Sequence, residues 1–341
     1  MPAAAKKTEK DIIADVKKGN IAPVYLFTGE ENYYIDVLSD FFENNVIPEE
    51  NQCFDQLVVY GVDVTMQQVI DTAKQYPSLP TSTHRLILVK EAQNIRIDSW
   101  DPLVKYLAKP VPTTILVLCY RNKKFDKRSS VYKAISNAGV VYESAKIYDS
   151  KLPQWIASYV KSKGYEIAPQ TTQILADALG NDLPKIANEL SKLFIIVPQG
   201  SAITPEIVEK NIGISKDYNI FELQNALGKK DVLKCYRIVN HFADNPKENP
   251  IQLVLPSLYS YFLKIMIYHQ VQDKSQAYVA MGVSPYFIDD YRVAAQHYSL
   301  QKLASIIGYL KDADLKSKGV GNANTLTDID LYKELIFKIL H

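Results

Sequence analysis

The stretch that most constrains the fold is Val24–Asp36, which has the sequence V-Y-L-F-T-G-E-E-N-Y-Y-I-D. Its apolar start, Val24–Thr28, predicts a short strand, Gly29 predicts a turn, and the residues after the turn predict a helix. A phosphate-binding P-loop lies between such a strand and helix, and it needs the pattern G-x-x-x-x-G-K-[ST]. Here the lysine and the hydroxyl residue are missing, and Glu30 and Glu31 would repel a triphosphate although they suit a helix N-terminus. The pattern predicts a degenerate nucleotide site that has lost its ligand.

A second stretch, Leu86–Gln93 (L-I-L-V-K-E-A-Q), predicts a buried strand that ends in a charged pair. In a P-loop ATPase, an acidic pair at this place holds Mg²⁺ and aligns water. Lys90 stands where the metal-holding aspartate is expected, and a cation cannot bind a second cation, so only Glu91 remains. An ordinary strand ending at a solvated Lys-Glu pair is the alternative. Two defects in strand order favour a degenerate ATPase fold, for which we expect no cofactor and no metal.

Residues 1–150 alternate between short apolar runs and amphipathic segments. This alternation predicts a Rossmann-like parallel sheet with helices on both faces, an α/β architecture. The predicted strands are Val24–Thr28, Cys53–Tyr60, Leu86–Val89, Thr114–Cys119 and, at the edge, Val140–Tyr142.

The pattern becomes purely helical after Tyr148. Residues 151–213 predict three helices, and about five more follow from Phe221. We therefore expect domains at 1–148, 149–215 and 216–341, the last carrying an assembly interface. The three predicted helices are Leu152–Lys163, Thr171–Leu179 and Leu183–Phe194. For the assembly interface we expect Tyr261 and Tyr268 to contribute contacts beside an apolar helix face formed by Phe221, Leu223, Leu227, Leu253, Leu258, Phe262 and Ile265.

Composition and motif searches exclude several classes of function. The chain has 341 residues and a net charge of +1, so no global charge points to nucleic acid. Its three cysteines are far apart and predict a reducing compartment, and neither a signal peptide nor a membrane span is predicted. The five histidines lack metal-ligand spacing, and no catalytic constellation is present. We expect no catalytic residues and a cytoplasmic location.

A basic stretch, R-N-K-K-F-D-K-R, follows the fourth predicted strand. Its cations are suited to contact phosphates or an acidic partner, and a solvated loop is the equally weighted alternative. The cationic residues are Arg121, Lys123, Lys124, Lys127 and Arg128.

The loop Tyr76–His84 (Y-P-S-L-P-T-S-T-H) precedes the central strand. Pro77 and Pro80 stiffen it, and it carries two apolar side chains, Tyr76 and Leu79. Apolar residues on a stiffened turn suit docking into a partner's pocket, because little conformational entropy remains to be lost. The alternative is an ordinary connection whose side chains pack inward.

Together these stretches resemble the delta subunits of the bacterial DNA polymerase III clamp loader, over nearly the whole chain. The order and spacing of the segments carry the resemblance more than any single segment. Besides the two strand stretches above, the resembling segments are Lys124–Lys133, Leu179–Leu193, Gly282–Ser299 and Asp314–Gly319.

The resemblance implies an AAA+-like domain, a small three-helix lid and an all-α C-terminal collar. It also implies a non-catalytic subunit of a DNA-directed DNA polymerase holoenzyme, which binds and opens the sliding clamp (beta) without hydrolysing ATP. Further implied partners are the gamma/tau and delta prime subunits and primed DNA, with no membrane. By this resemblance the clamp-binding residues are Tyr76, Pro77, Leu79 and Pro80.

Two alternatives from other classes remain open at this point. One is an active AAA+ ATPase with an unusual phosphate loop, which ATP binding by the isolated chain would support. The other is a free-standing DNA-binding protein that uses the basic stretch, which tight, salt-sensitive DNA binding would support.

Overall fold

The computed structural model describes residues 7–96, 100–215, 217–247, 249–320 and 327–341. The chain divides into two compact units, Met1–Ile147 and Tyr148–His341. The predicted boundary between 215 and 216 falls beside Lys216, which lies outside the described residues, and it stays a prediction.

The first unit is built on a parallel sheet in the strand order β2-β3-β4-β1-β5. β1 lies between β4 and β5, with Leu26 opposite Leu118 on one side and Val141 on the other. The Leu86–Val89 strand was expected at the centre of the sheet; it forms β3, an interior strand beside the central β4. The predicted edge position of the last strand is confirmed. The strands are β1 (Val24–Gly29), β2 (Gln56–Tyr60), β3 (Arg85–Lys90), β4 (Thr114–Tyr120) and β5 (Val140–Ser144).

Helices cover both faces of this sheet, because alternate strand residues point to opposite sides. Leu26, Val89 and Leu118 pack with α4, α5 and α6, whereas Phe27 and Leu88 pack with α1 and α2. The helices are α1 (Glu9–Lys17), α2 (Asn32–Asn45), α3 (Glu49–Asp55), α4 (Met66–Ala73), α5 (Asp101–Leu107) and α6 (Ser130–Ala138).

One strand prediction was partly wrong. The segment Cys53–Tyr60 was expected to be a strand throughout, but its first three residues form the end of α3. Cys53 and Phe54 are exposed there and Asp55 is buried, so the apolar run that builds β2 begins only at Leu57.

The second unit begins with more structure than the three expected helices. A fourth helix, α10, and a short parallel pair, β6 and β7, also lie between residues 151 and 213. Ile174 of α8 packs in the same apolar cluster as the helices that follow. The elements are α7 (Leu152–Ser162), β6 (Glu166–Ile167), α8 (Pro169–Leu179), α9 (Leu183–Ile196), β7 (Ala202–Ile203) and α10 (Pro205–Ile212).

The rest of this unit is helical, with seven α-helices in the part that the structure describes, more than the five expected. They are α11 (Ile220–Gly228), α12 (Val232–Asp244), α13 (Ile251–Gln270), α14 (Ala277–Met281), α15 (Ile288–His297), α16 (Leu300–Ser317) and α17 (Asp328–Leu340).

The central helix of this part, α13, corrects two expectations. Tyr261 and Tyr268 were expected at subunit contacts, but both are buried in the core. The sequence was also expected to contain no stretch able to span a membrane, yet α13 is long and apolar enough by length and composition. Eight of its side chains are buried in the core of the unit, as in the core helix of a soluble protein.

Candidate functional site

The loop after β1, residues 29–32, has its backbone closed by the protein itself. Gly29 has φ +143, and an added Cβ would lie 2.0 Å from the carbonyl oxygen of Ser144 on β5. Only glycine fits a positive φ with so close a neighbour. Glycine at this position therefore lets the backbones of β1 and β5 approach each other closely, and β5 fills the space beside the loop.

The N–H groups of this loop have internal acceptors. Those of Glu30 and Glu31 donate to the Ser144 carbonyl over 3.1 and 3.5 Å, and that of Gly29 donates to the Lys123 carbonyl over 3.2 Å. In a P-loop, N–H groups at this place cradle phosphate oxygens. Here the Ser144 and Lys123 carbonyl oxygens occupy those donors, so the loop offers no equivalent cradle.

The helix start beside the loop is also satisfied internally. Glu31 caps α2 by accepting the N–H of Tyr33 at 3.0 Å. Asn32 exchanges two hydrogen bonds with Asn122, at 2.6 and 3.1 Å. The helix N-terminus, which attracts anions in a nucleotide site, is therefore covered by a carboxylate and an amide of the chain.

The second predicted feature, the charged pair at the end of β3, has a lysine where a metal-holding aspartate was expected. Lys90 pairs with Glu43 of α2 at 2.7 Å. Burial lowers the pKa of Lys90, but the hydrogen bond to Glu43 and the negative charges of Glu43 and Asp40 together outweigh burial, and the net shift is upward. Glu91 has φ +53, and its carboxylate accepts from Asn94 at 3.1 Å. The Lys90 ammonium is therefore charged at neutral pH, and it repels a second cation at this position.

The basic stretch lies against this closed loop. The backbone of Lys123 pairs with Gly29, and Phe125 donates its N–H to Thr28 Oγ1 at 2.9 Å. Arg121 pairs with Asp36 of α2 at 3.0 Å, where burial raises the pKa of Asp36 and the guanidinium opposes that rise.

Its remaining cations have partners too. Lys123 lies over the ring of Tyr120, 5.5 Å from its centroid. The ion pairs are Lys124 with Glu30 (3.9 Å), Lys127 with Glu143 (2.5 Å) and Arg128 with Asp126 (3.2 Å). Contact of this stretch with DNA or a partner stays a prediction, and the pairs give it a structural role.

The turn between α4 and β3, residues 76–83, which we call the docking turn, is exposed at some positions and half-buried at others. Tyr76 is 69% exposed, Pro80 is exposed, and Pro77 and Leu79 are half-buried. Within the turn the N–H of Ser82 donates to the Leu79 carbonyl at 3.0 Å. The clamp-binding role of these four residues stays a prediction.

A buried carboxylate that the sequence did not indicate holds this turn. Asp55, at the end of α3, is fully buried and accepts the N–H groups of Ser78 at 2.5 Å and Leu79 at 3.4 Å. It was expected within the strand Cys53–Tyr60. An acidic residue at a helix end just before an apolar run was the available signal. Phe54, immediately before it, is 55% exposed.

Among the residues that the structure describes, no group of three or more His, Cys, Asp or Glu side chains could hold a metal ion. Cys119 and Cys235 are buried, and burial raises the pKa of each thiol to about 12. Such thiols are inert packing residues rather than nucleophiles.

Comparison with known proteins shows which proteins this chain is similar to. A family model for the delta subunit of DNA polymerase III matches residues 25–144. The DNA polymerase III subunit delta of Bacillus subtilis strain 168 is 24% identical over 321 residues, which covers 90% of this chain and 91% of the relative. A probable subunit delta of Aquifex aeolicus strain VF5 is 21% identical over 226 residues, 64% of each chain. The resemblance to the delta-subunit family is confirmed.

A solved structure is similar to this chain in its fold. The DNA clamp loader delta protein of Bacillus subtilis matches with a TM-score of 0.55 and 22% identity, over 98% of this chain and 99% of that one. The predicted architecture is thereby confirmed: an α/β domain with a parallel sheet, followed by helical regions. The match of the family model contains both the closed loop and the docking turn.

Proposed function

We propose that this chain is the delta subunit of a DNA polymerase III clamp loader. It binds the sliding clamp through the docking turn and opens it for loading onto primed DNA, without hydrolysing ATP itself. Its partners are the clamp, the gamma/tau and delta prime subunits and, within the assembly, primed DNA. It adds no catalysis of its own to the polymerase holoenzyme, and the role places it in the cytoplasm.

The observation that carries this proposal is the docking turn. A turn that exposes an aromatic ring while its backbone is fixed by a buried carboxylate has little conformational entropy to lose on binding. Interfaces concentrate their free energy in a few apolar anchors of this kind. The likeness to delta subunits supports the clamp as the partner, and the closed Gly29 loop supports a role without ATP hydrolysis.

The test is the affinity of the chain for the sliding clamp of the same organism, measured by surface plasmon resonance. We expect Tyr76→Ala with Leu79→Ala to weaken binding at least about thirtyfold, since truncating an anchor costs about 2 kcal/mol or more and 1.4 kcal/mol is about tenfold. The thermal melt should hardly change, because the turn adds little to the core.

The matched control is Val62→Ala in the same unit, which removes methyl groups from a side chain that is 72% exposed. Its affinity for the clamp should equal that of the wild type. Unchanged clamp affinity of the double variant would mean that other residues bind the clamp. A large fall in the melting temperature would mean that Leu79 or Tyr76 packs in the core.

Assembly with the other subunits is proposed to use the outer face of α13. Leu253, Tyr259 and Leu263 lie on one side of this helix and are 58%, 46% and 38% exposed. No charged residue lies between Ile251 and Leu263, so this face can be buried without a desolvated charge.

Leu253→Asp with Tyr259→Asp should abolish co-purification with the other loader subunits, because each would bury a carboxylate without a partner. Leu233→Asp is the control, at a side chain of α12 that is 72% exposed. Normal co-purification of the α13 variant would remove α13 from the assembly interface.

A further inference from the structure

The docking turn is held by the side chain of Asp55, which belongs to another part of the chain. The carboxylate of this residue receives the N–H groups of Ser78 and Leu79, 23 and 24 residues further along. We propose that Asp55 is a positioning residue, which fixes the direction in which Leu79 and Tyr76 are presented to the partner. This inference rests on the proposed function of the turn.

The first argument concerns the position of Asp55 in the fold. It is the last residue of α3 and directly precedes β2, which pairs along its length with β3. The turn leads into β3 at Arg85, whose guanidinium donates to the Tyr76 carbonyl at 3.4 Å. Asp55 therefore ties the turn to the start of a neighbouring strand, so the turn takes its orientation from the sheet.

The second argument concerns the charge of the carboxylate. Burial raises the pKa of Asp55, but the hydrogen bonds from the turn outweigh burial, and the net shift is downward. A carboxylate with a lowered pKa keeps its hydrogen bonds above the ordinary value of about 4 and loses them only as the pH falls through the lower folded value. The turn is therefore held throughout the neutral range.

The third argument concerns what else could hold the turn. Upstream, the carbonyl of Ala73 at the end of α4 accepts from Tyr106 and Thr114, which fixes the residue where the turn departs. Between that point and β3, the N–H groups nearest to Leu79 donate to Asp55. Without the carboxylate these donors would seek water, and the two apolar side chains would sample many directions.

The experiment compares the wild type with Asp55→Asn, which keeps the size of the side chain but removes its charge and one acceptor. Amide hydrogen exchange, read residue by residue by NMR, should accelerate at Ser78 and Leu79, while the β3 amides from Leu86 to Val89 keep their protection. Affinity for the sliding clamp should fall about tenfold. Glu50→Gln, at an exposed carboxylate of the same helix, is the control and should change neither.

A double-mutant cycle separates positioning from a general structural effect. If Asp55 acts through Leu79, then Asp55→Asn should weaken clamp binding much less when Leu79 is already alanine. Additive losses would mean that Asp55 contributes by stabilising the unit as a whole, and the inference would be overturned. The wild type alone provides a further test, which does not depend on a variant that folds. Fast amide hydrogen exchange at Ser78 and Leu79 in the wild type would also overturn the inference.

The outcomes keep this inference apart from the proposed function. If Leu79→Ala weakens clamp binding and Asp55→Asn leaves it unchanged, the positioning role is wrong and the docking turn stands. If Asp55→Asn accelerates exchange only in the turn, while neither variant changes clamp binding, the positioning role stands. The proposed docking function would then be wrong.

Discussion

The Gly29 loop and the docking turn both adjoin buried strands of the same sheet, but their backbones are held in opposite ways. The loop donates its N–H groups to main-chain carbonyls of Lys123 and Ser144, which belong to the sheet and its connection. In the docking turn, the N–H groups of Ser78 and Leu79 instead donate to a side chain, Asp55. A main-chain acceptor cannot be removed by mutation, whereas a side-chain acceptor can.

The two regions also differ in what they present to solvent. The loop ends in acidic side chains that are paired or used as a cap, as with Glu30 near Lys124 and Glu31 on α2. The turn presents a tyrosine that is 69% exposed. The comparison teaches that one sheet can fix two of its connections differently: main-chain carbonyls close the loop, whereas a buried side chain holds a turn that exposes an aromatic ring.

The largest effect is expected from breaking the closed loop. Gly29→Ala would place a Cβ 2.0 Å from the Ser144 carbonyl oxygen and 2.7 Å from its carbon, and both atoms are main chain. Either β5 moves away from β1 or the loop leaves its conformation. We expect the free energy of unfolding to fall by about 3 kcal/mol or more, measured by urea denaturation.

The matched control is Gly19→Ala. Gly19 also has a positive φ, +81, but an added Cβ would meet nothing within 4 Å. Only the cost of a left-handed residue applies, about 1–2 kcal/mol. Equal losses at the two glycines would mean that β5 does not close the loop.

The parallel sheet was predictable from sequence, because three of its strands, β1, β3 and β4, are apolar runs that are buried on both faces. The Gly29 turn was predictable too, since glycine between such a strand and a helix has few other uses. The acceptors of the loop were not predictable: Ser144 contributes a carbonyl, which every residue has, so its side chain gave no signal. The pairing of β1 with β5 alone brings it there.

Two other failures have physical causes that can be named. Asp55 was assigned to a strand because the apolar run that follows it was taken to begin too early. In the structure, α3 ends at Asp55 and the strand starts at Gln56. Tyr261 and Tyr268 were expected at an interface because tyrosine keeps its hydroxyl wet there. Helical periodicity identified the faces of α13, but it could not say which face meets the neighbouring helices, and both tyrosines lie inside.

The smallest effect, none at all, is expected from adding the missing lysine to the loop. Glu30→Lys supplies an ammonium at an exposed position, where the side chain is 45% exposed. It should not create ATP binding, because the N–H groups at 29, 30 and 31 remain occupied by carbonyls and Lys90 still opposes a metal ion. Isothermal titration calorimetry should detect no ATP binding by either wild type or variant, with an ATP-hydrolysing loader subunit as the positive control.

Micromolar affinity of the wild type for ATP would instead support the active-ATPase alternative, and the loop would then have to open to release its N–H donors. Micromolar affinity of the variant alone would mean that the missing lysine, and not the closed backbone, separates this loop from a working phosphate site.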